Sequence, residues 1–215
     1  MKRLFLIFQS IALLFVIACG QADTPRVATG SVHDGKYTNT TIPLEFSIPR
    51  DWHVFTPDEN RNLKEVGVAD AASRVDAPKG SLQKAVSRVT QPVTVSRHVP
   101  PSSSEGNSSF ACYLENVEGR KQKIIDGHAY LDALLHSLRT VKSPLTPITA
   151  IQTTVISGHE FSVVTLEMRV GPQRMVQRYY ARYHKGSILA FIVTGADVDG
   201  DTDLGSIIGT IKIDA

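Results

Sequence analysis

The sequence has 215 residues, of which 42% are hydrophobic and 20% are charged, and its formal net charge is +2 at pH 7. This length and composition fit one ordinary domain with a substantial core and exclude wholesale disorder. Residues 1–18 contain two basic and no acidic residues, so cleavage after residue 18 would leave 21 basic and 21 acidic side chains. Without an excess of positive charge, nucleic-acid binding has no electrostatic basis, and we do not expect it.

The amino terminus is organised like a secretory signal peptide. Lys2 and Arg3 precede an apolar run over residues 4–18, which is shorter than the roughly 20 residues of a membrane-spanning helix. The run ends in the sequence VIACG at residues 16–20, which resembles the lipobox of bacterial lipoproteins. The resemblance implies a diacylglycerol thioether on Cys19, cleavage before it, and acylation of the new amino terminus with a fatty acid such as palmitate.

The predicted anchor indicates where the protein is located. Acyl chains on Cys19 would hold it stably in a lipid bilayer, because each buried methylene contributes about 0.8 kcal/mol. Residues 19–36 would then be the lipidated cysteine and a polar, flexible tether, and residues 37–215 a single domain. This arrangement predicts a bacterial protein on the cell membrane or the outer membrane, facing the periplasm. Gly20 after the cysteine is compatible with outer-membrane sorting.

The first part of the domain reads as short strands and helices. Alternating apolar residues predict strands over 42–48 and 52–55. Thr56 then fits a helix N-cap, Pro57 the first helical position and Glu59 a capping box, which together predict a helix to about Ala72. A second short helix is predicted from four apolar residues with helical spacing, Leu82, Ala85, Val86 and Val89.

Two more strands and the best helix follow. The strands are predicted over 93–99 and 110–117, and Cys112 in the second of them is expected to be a buried thiol. A helix over 126–141 is predicted from one apolar stripe, which consists of Leu131, Leu134, Leu135, Leu138 and Val141.

The chain from residue 151 to 194 predicts four consecutive antiparallel strands, over 151–156, 161–170, 174–184 and 187–194. Side-chain alternation pairs Met168 with Met175 and Val164 with Tyr179 across one turn. Lys185-Gly186 is a plausible two-residue turn that pairs Tyr179 with Ile192. The last strand is apolar on both faces, so it should be central and covered on both sides by helices. A short helix over 202–209 and a final strand over 210–213 complete the pattern.

This order of elements predicts an α+β fold with a largely antiparallel sheet flanked by helices. The Pro49–Trp52 turn after a strand pair, and the sequence ISGHEF at 156–161 before a long meander, resemble the Mog1/PsbP-like family in outline. The resemblance implies an α/β/α sandwich and a non-enzymatic adaptor role, and it identifies no functional residue.

Catalytic motifs are absent from the sequence. There is no G-x-S-x-G motif, and the serines at 102–104 fall in a predicted loop. His128 and His136 are eight residues apart, which is not the one-turn spacing of a metal site. We therefore expect no enzymatic activity and no cofactor, and a hydrolase is the least favoured alternative.

An acidic turn provides one candidate binding site. Asp197, Asp199 and Asp201 alternate through a glycine-containing turn, as at the start of a calcium loop, but the twelfth position holds Ile208 instead of glutamate. The structural interpretation is a solvated turn that ends in a helix N-cap. Weak calcium binding, or a small ligand held between helix 126–141 and the sheet, is the alternative to a protein-binding role.

The third strand of the meander provides the second candidate site. Arg174, Arg178 and Arg182, with Tyr180, share one face of this strand. Three guanidinium groups at this spacing could hold an acidic protein partner, a lipid headgroup or a carboxylate ligand. The alternative is an outward face that is paired with Glu167 and neighbouring acids. The sequence as a whole predicts a membrane-anchored envelope lipoprotein that acts as a non-enzymatic adaptor for another envelope protein.

Overall fold

The computed structural model describes residues 30–74, 87–99, 107–120, 122–140, 143–170 and 173–214. The predicted signal peptide, Cys19 and most of the predicted tether lie outside these residues. The described residues form twelve strands and three helices. The strands are β1 (Ser31–His33), β2 (Lys36–Asn39), β3 (Leu44–Ser47), β4 (His53–Val54), β5 (Val89–Ser96), β6 (Ser109–Asn116), β7 (Thr146–Pro147), β8 (Gln152–Ile156), β9 (His159–Val170), β10 (Gln173–His184), β11 (Ser187–Gly195) and β12 (Lys212–Ile213). The helices are α1 (Pro57–Arg74), α2 (Gly127–Thr140) and α3 (Thr202–Thr210).

The strands form two sheets, and each pairing between described strands is antiparallel. The large sheet has the order β4-β5-β6-β11-β10-β9-β7, and β8 pairs with β9 on the same side as β7. The small sheet has the order β1-β2-β3-β12. The mixed α+β class and the largely antiparallel sheet predicted from the sequence are therefore confirmed.

The large sheet is covered on both faces. Helix α2 packs on β9 and β10 over one face, where Leu131, Leu134 and Leu138 are buried against the sheet. The opposite face is covered by the small sheet and by α3, and the core there contains a run of aromatic rings. Phe46 of the small sheet contacts Phe110, whose ring centroid lies 5.7 Å from that of Phe191. The sequence predicted a helix on each face, but it did not predict the small sheet.

The meander forms in the predicted register. Met168 lies opposite Met175, Val164 opposite Tyr179, and Tyr179 opposite Ile192. Lys185 and Gly186 both have positive φ, at 47° and 79°, as a type I′ hairpin turn requires. Strand β11 is buried along its whole length, which agrees with its apolar character on both faces.

The capping box of α1 is also confirmed. The backbone N–H of Glu59 donates to Thr56 Oγ1 at 3.2 Å, and the backbone N–H of Thr56 donates to Glu59 Oε2 at 2.7 Å. Helix α1 begins at Pro57 and ends at Arg74, two residues beyond the predicted end. None of the described helices combines the length and the apolar character that a membrane crossing requires.

Two predictions from the sequence need correction. Residues 31–36 were assigned to the tether, but Ser31–His33 form β1, which pairs with β2 through a turn at Asp34 and Gly35. This hairpin has little apolar alternation, so its strands became apparent only from the pairing of β1 with β2 and of β2 with β3. Val89 was assigned to a second short helix, but it begins β5 instead. The rest of that predicted helix, residues 82–86, lies outside the described residues.

Candidate functional site

The predicted arginine surface and the predicted acidic turn meet in space. Glu167 on β9 accepts a hydrogen bond from Arg169 Nε at 2.7 Å through one carboxylate oxygen. Its other oxygen accepts from Arg174 Nε on β10 at 2.6 Å. Both hydrogen bonds lower the pKa of Glu167, and the one from Arg174 has the larger effect. The side chains of Arg174 and Arg169 lie directly opposite each other across the strand pair, and Glu167 offsets their mutual repulsion.

Arg178 connects this cluster to the acidic turn. Its Nη2 donates to Asp199 Oδ1 at 2.8 Å, and its Nε donates to Thr165 Oγ1 at 3.1 Å. Burial by itself would lower the pKa of Arg178, but its hydrogen bonds to Asp199 and Tyr180 raise it overall. We call the set Glu167, Arg169, Arg174, Arg178 and Asp199 the charged surface.

One residue of the predicted arginine face differs from expectation. Tyr180 is only 8% exposed and belongs to the core between the two sheets, so its ring is not available to a partner. This part of the prediction is wrong, because alternation shows which side chains share a face but not whether another element covers that face. Arg182 is half-buried near His184. The pKa of His184 is lowered mainly by burial, then by the positive charge of Lys185, and then by that of Arg182.

The acidic turn is organised by hydrogen bonds within the protein. Asp197 Oδ1 accepts from the backbone N–H groups of Asp199 at 3.2 Å and Gly200 at 3.1 Å. Asp201 is the N-cap of α3, as the structural interpretation predicted, and it accepts from the N–H groups of Asp203 and Leu204. In the parts of the chain that the structure describes, no three His, Cys, Asp or Glu residues are grouped as metal ligands. Calcium binding by Asp197, Asp199 and Asp201 stays an untested alternative.

Arg97 is a residue that sequence reasoning missed. Its Nη2 contacts Asp201 Oδ1 at 2.8 Å and Asp203 Oδ2 at 3.2 Å, and its guanidinium lies 5.8 Å from the centre of the Trp52 ring. Trp52 Nε1 also donates to Asp203, at 3.3 Å. The network joins β5, the Trp52 turn and the start of α3. The only local signal was an arginine at the end of a predicted strand, which does not identify partners more than 100 residues away.

Replacing Asp201 by alanine should lower the free energy of unfolding by about 2–4 kcal/mol at pH 7, because both the helix cap and charged hydrogen bonds are lost. Burial raises the pKa of Asp201, but hydrogen bonds from Ser108 and Leu204 and the charge of Arg97 lower it overall. A carboxylate with a lowered folded-state pKa stabilises the fold above its unfolded pKa of about 4. Urea denaturation should therefore show a smaller difference between variant and parent at pH 3 than at pH 7. An equal difference at both pH values would contradict the ionic role.

A polar cluster lies beneath α2, where the sequence suggested a ligand pocket. Tyr130 on α2 donates to Glu115 Oε2 at 2.8 Å, and the other oxygen of Glu115 pairs with Arg120, whose side chain is 1% exposed. Tyr113 and Tyr179 line the same small cavity, which has a volume of about 20 Å³. This volume suits about one water molecule. A small organic ligand would therefore need the cavity to enlarge.

Comparisons with known proteins provide little further information. No family model matches the sequence, and no curated protein matches it significantly. One similar solved structure is LpqN, described as involved in cell envelope biogenesis of Mycobacterium tuberculosis, with 9% identity, a TM-score of 0.44 and coverage of 80% of this chain and 83% of that one. Another is PA94 of Pseudomonas aeruginosa, a protein of unknown function and putative regulator, with 14% identity, a TM-score of 0.32 and coverage of 52% and 70%. Both TM-scores are too low to support an inference about function.

Proposed function

We propose that this protein is a lipid-anchored protein of the bacterial envelope that acts as a non-enzymatic protein-binding module. Acylation of Cys19, inferred from the lipobox, would provide the anchor. The observation that supports the binding role is the charged surface, where three arginines meet two carboxylates at one end of the large sheet. Its net positive charge favours a partner segment that carries aspartate or glutamate.

The arginines of the charged surface retain capacity for a partner. A guanidinium group has five N–H donors, and among the described residues the hydrogen bonds of Arg169 and Arg174 engage only some of them. Arg169 is 71% exposed at its side chain, so its terminal nitrogens face solvent. The intramolecular pairs to Glu167 hold both side chains in place, which reduces the entropy that binding must remove.

The test is recovery of partners from living cells after crosslinking of the anchored protein, followed by mass spectrometry. A variant with Arg169, Arg174 and Arg178 replaced by alanine should recover the partner at least about tenfold less well than the parent, as expected for truncation of interface arginines. A Cys19→Ser variant cannot be acylated at this position and, without acyl chains in the bilayer, should recover the partner less well than the parent.

A matched control replaces three other ion-paired surface cations, Lys36, Arg61 and Lys212, by alanine. This control should leave recovery unchanged, because these residues lie on other elements of the fold. Equal recovery with the parent and the arginine variant would exclude the charged surface as the binding site. Full recovery by the Cys19→Ser variant would exclude a role for the anchor.

A further inference from the structure

The outer side of β8 is a free sheet edge among the described strands. Among the described strands, β8 pairs with β9 alone, and β7, which precedes β8 in the chain, continues the same edge by pairing with a later part of β9. Most of this edge is solvent-exposed, and Val155 is 67% exposed, the highest value among the large hydrophobic residues described. A row of unpaired backbone groups on such a strand is a template for pairing with another strand.

The hairpin geometry determines which backbone groups of β8 point outward. Ser157 and Gly158 form a two-residue turn with positive φ at both positions, so Ile156 and His159, which flank it, exchange hydrogen bonds. Because hydrogen-bonded pairs alternate along an antiparallel ladder, Thr154 and Gln152 also face β9. The N–H and C=O groups of Thr153 and Val155 therefore point away from the sheet.

The side chains of β8 lack the features that normally prevent strand pairing. Residues 145–158 contain no charged side chain, and β8 itself contains no proline. The other edges formed by described strands are shorter, and each includes a lysine or histidine, namely His33 on β1, His53 on β4 and Lys212 on β12. Short edge strands and charged side chains commonly prevent such pairing in natural proteins.

Strand β8 is also complementary to itself. In an antiparallel pair of two copies centred on Thr154, Thr153 of each copy lies opposite Val155 of the other, and Gln152 lies opposite Ile156. Each outward N–H of Thr153 and Val155 then meets an outward C=O of the second copy, and no like charges lie opposite each other. We propose that two copies of this chain associate through β8, so that their large sheets become one continuous sheet across a twofold axis at Thr154.

A cysteine substitution at Thr154 tests this directly, because the axis places the residue opposite itself. The two Cα atoms of a non-hydrogen-bonded antiparallel pair are about 4.5 Å apart, which is within the range of a disulfide. In the full, membrane-anchored chain, Thr154→Cys should produce a disulfide-linked dimer on a non-reducing gel. Val32→Cys, on the exposed edge strand β1 of the small sheet, is the matched control and should remain monomeric.

Sedimentation of the full chain in detergent micelles gives a second test, because the micelles take up the acyl chains and prevent them from associating. Val155→Pro removes one outward N–H and leaves the hydrogen bonds to β9 intact, so it should weaken dimerisation at least about tenfold. Thr154→Lys places two charges opposite each other and should have a similar effect. The circular dichroism spectra of both variants should match that of the parent.

Two results would overturn the proposal. One is a parent protein that sediments as a monomer at all accessible concentrations and whose Thr154→Cys variant forms no disulfide dimer. The other is crosslinking of the Thr154→Cys variant to a different protein through its introduced thiol, which would assign the β8 edge to a heterologous partner. Neither result bears on the arginine test of the proposed function, because dimerisation and partner recovery are measured separately.

Discussion

Replacing Glu115 by glutamine should lower the free energy of unfolding by about 3–5 kcal/mol, as is usual when one member of a buried ion pair is removed. Glu115 is the carboxylate that pairs with the buried guanidinium of Arg120. Burial lowers the pKa of Arg120 to about 10, which still leaves it protonated at pH 7. The variant would therefore leave a buried positive charge without its counter-ion. Chemical denaturation at pH 7 measures the loss.

Two control variants separate the buried charge from other effects. Tyr130→Phe removes only the hydrogen bond to Glu115 and should lower stability by about 1–2 kcal/mol. Glu45→Gln removes a carboxylate that pairs with Lys36 and Lys212 at the surface, and its effect should be small because solvent screens such pairs. If Glu115→Gln changed stability no more than Glu45→Gln, the pair would not be buried in solution.

Replacing Gly127 by alanine should lower the free energy of unfolding by about 3 kcal/mol, a value typical of overpacking against a rigid backbone. Gly127 is the first residue of α2, and a Cβ there would lie 2.0 Å from the backbone oxygen of Ala181 on β10. No side-chain rotation can relieve a contact with backbone, so α2 would have to move away from the sheet. Thermal denaturation should show the loss as a lower melting temperature.

Gly205 is the matched control for this substitution. It also lies in a helix, α3, but among the described residues no atom beyond its two chain neighbours and its own helix backbone lies within 4 Å of an added Cβ. Gly205→Ala should therefore stabilise the protein by about 0.5–1 kcal/mol, because alanine loses less backbone entropy in a helix than glycine does. The two glycine-to-alanine substitutions should therefore change the free energy of unfolding in opposite directions. A stabilising Gly127→Ala would show that α2 does not contact β10 as closely as described.

The candidate site was predicted from the sequence only in part. Arg174 and Arg178 were identified by their spacing on one strand, and Glu167 was named as a possible partner for that face. The pairing of Arg178 with Asp199 was not predicted, because the acidic turn follows β11 and returns over the sheet only in the folded chain. Tyr180 was assigned to the surface for the same reason, since its cover comes from distant elements.

Local patterns in the sequence determined the local structure. The alternation of apolar residues predicted the register of β9, β10 and β11, because side chains on a strand point to opposite faces in turn. The spacing of Leu131, Leu134 and Leu138 predicted the buried side of α2, and Thr56 with Glu59 predicted the start of α1. Each of these signals lies within a few residues of the structure that it predicts.

Only the tertiary structure decided which surfaces remain exposed. Strand β12 pairs with β3 across more than 160 residues and completes the small sheet that covers Val176 and Tyr180. Arg97 meets Asp201, and Gly127 meets Ala181, through contacts between elements that are distant in the chain. Such contacts depend on how whole faces pack together, and a periodic pattern within one element carries no information about the element that will lie against it.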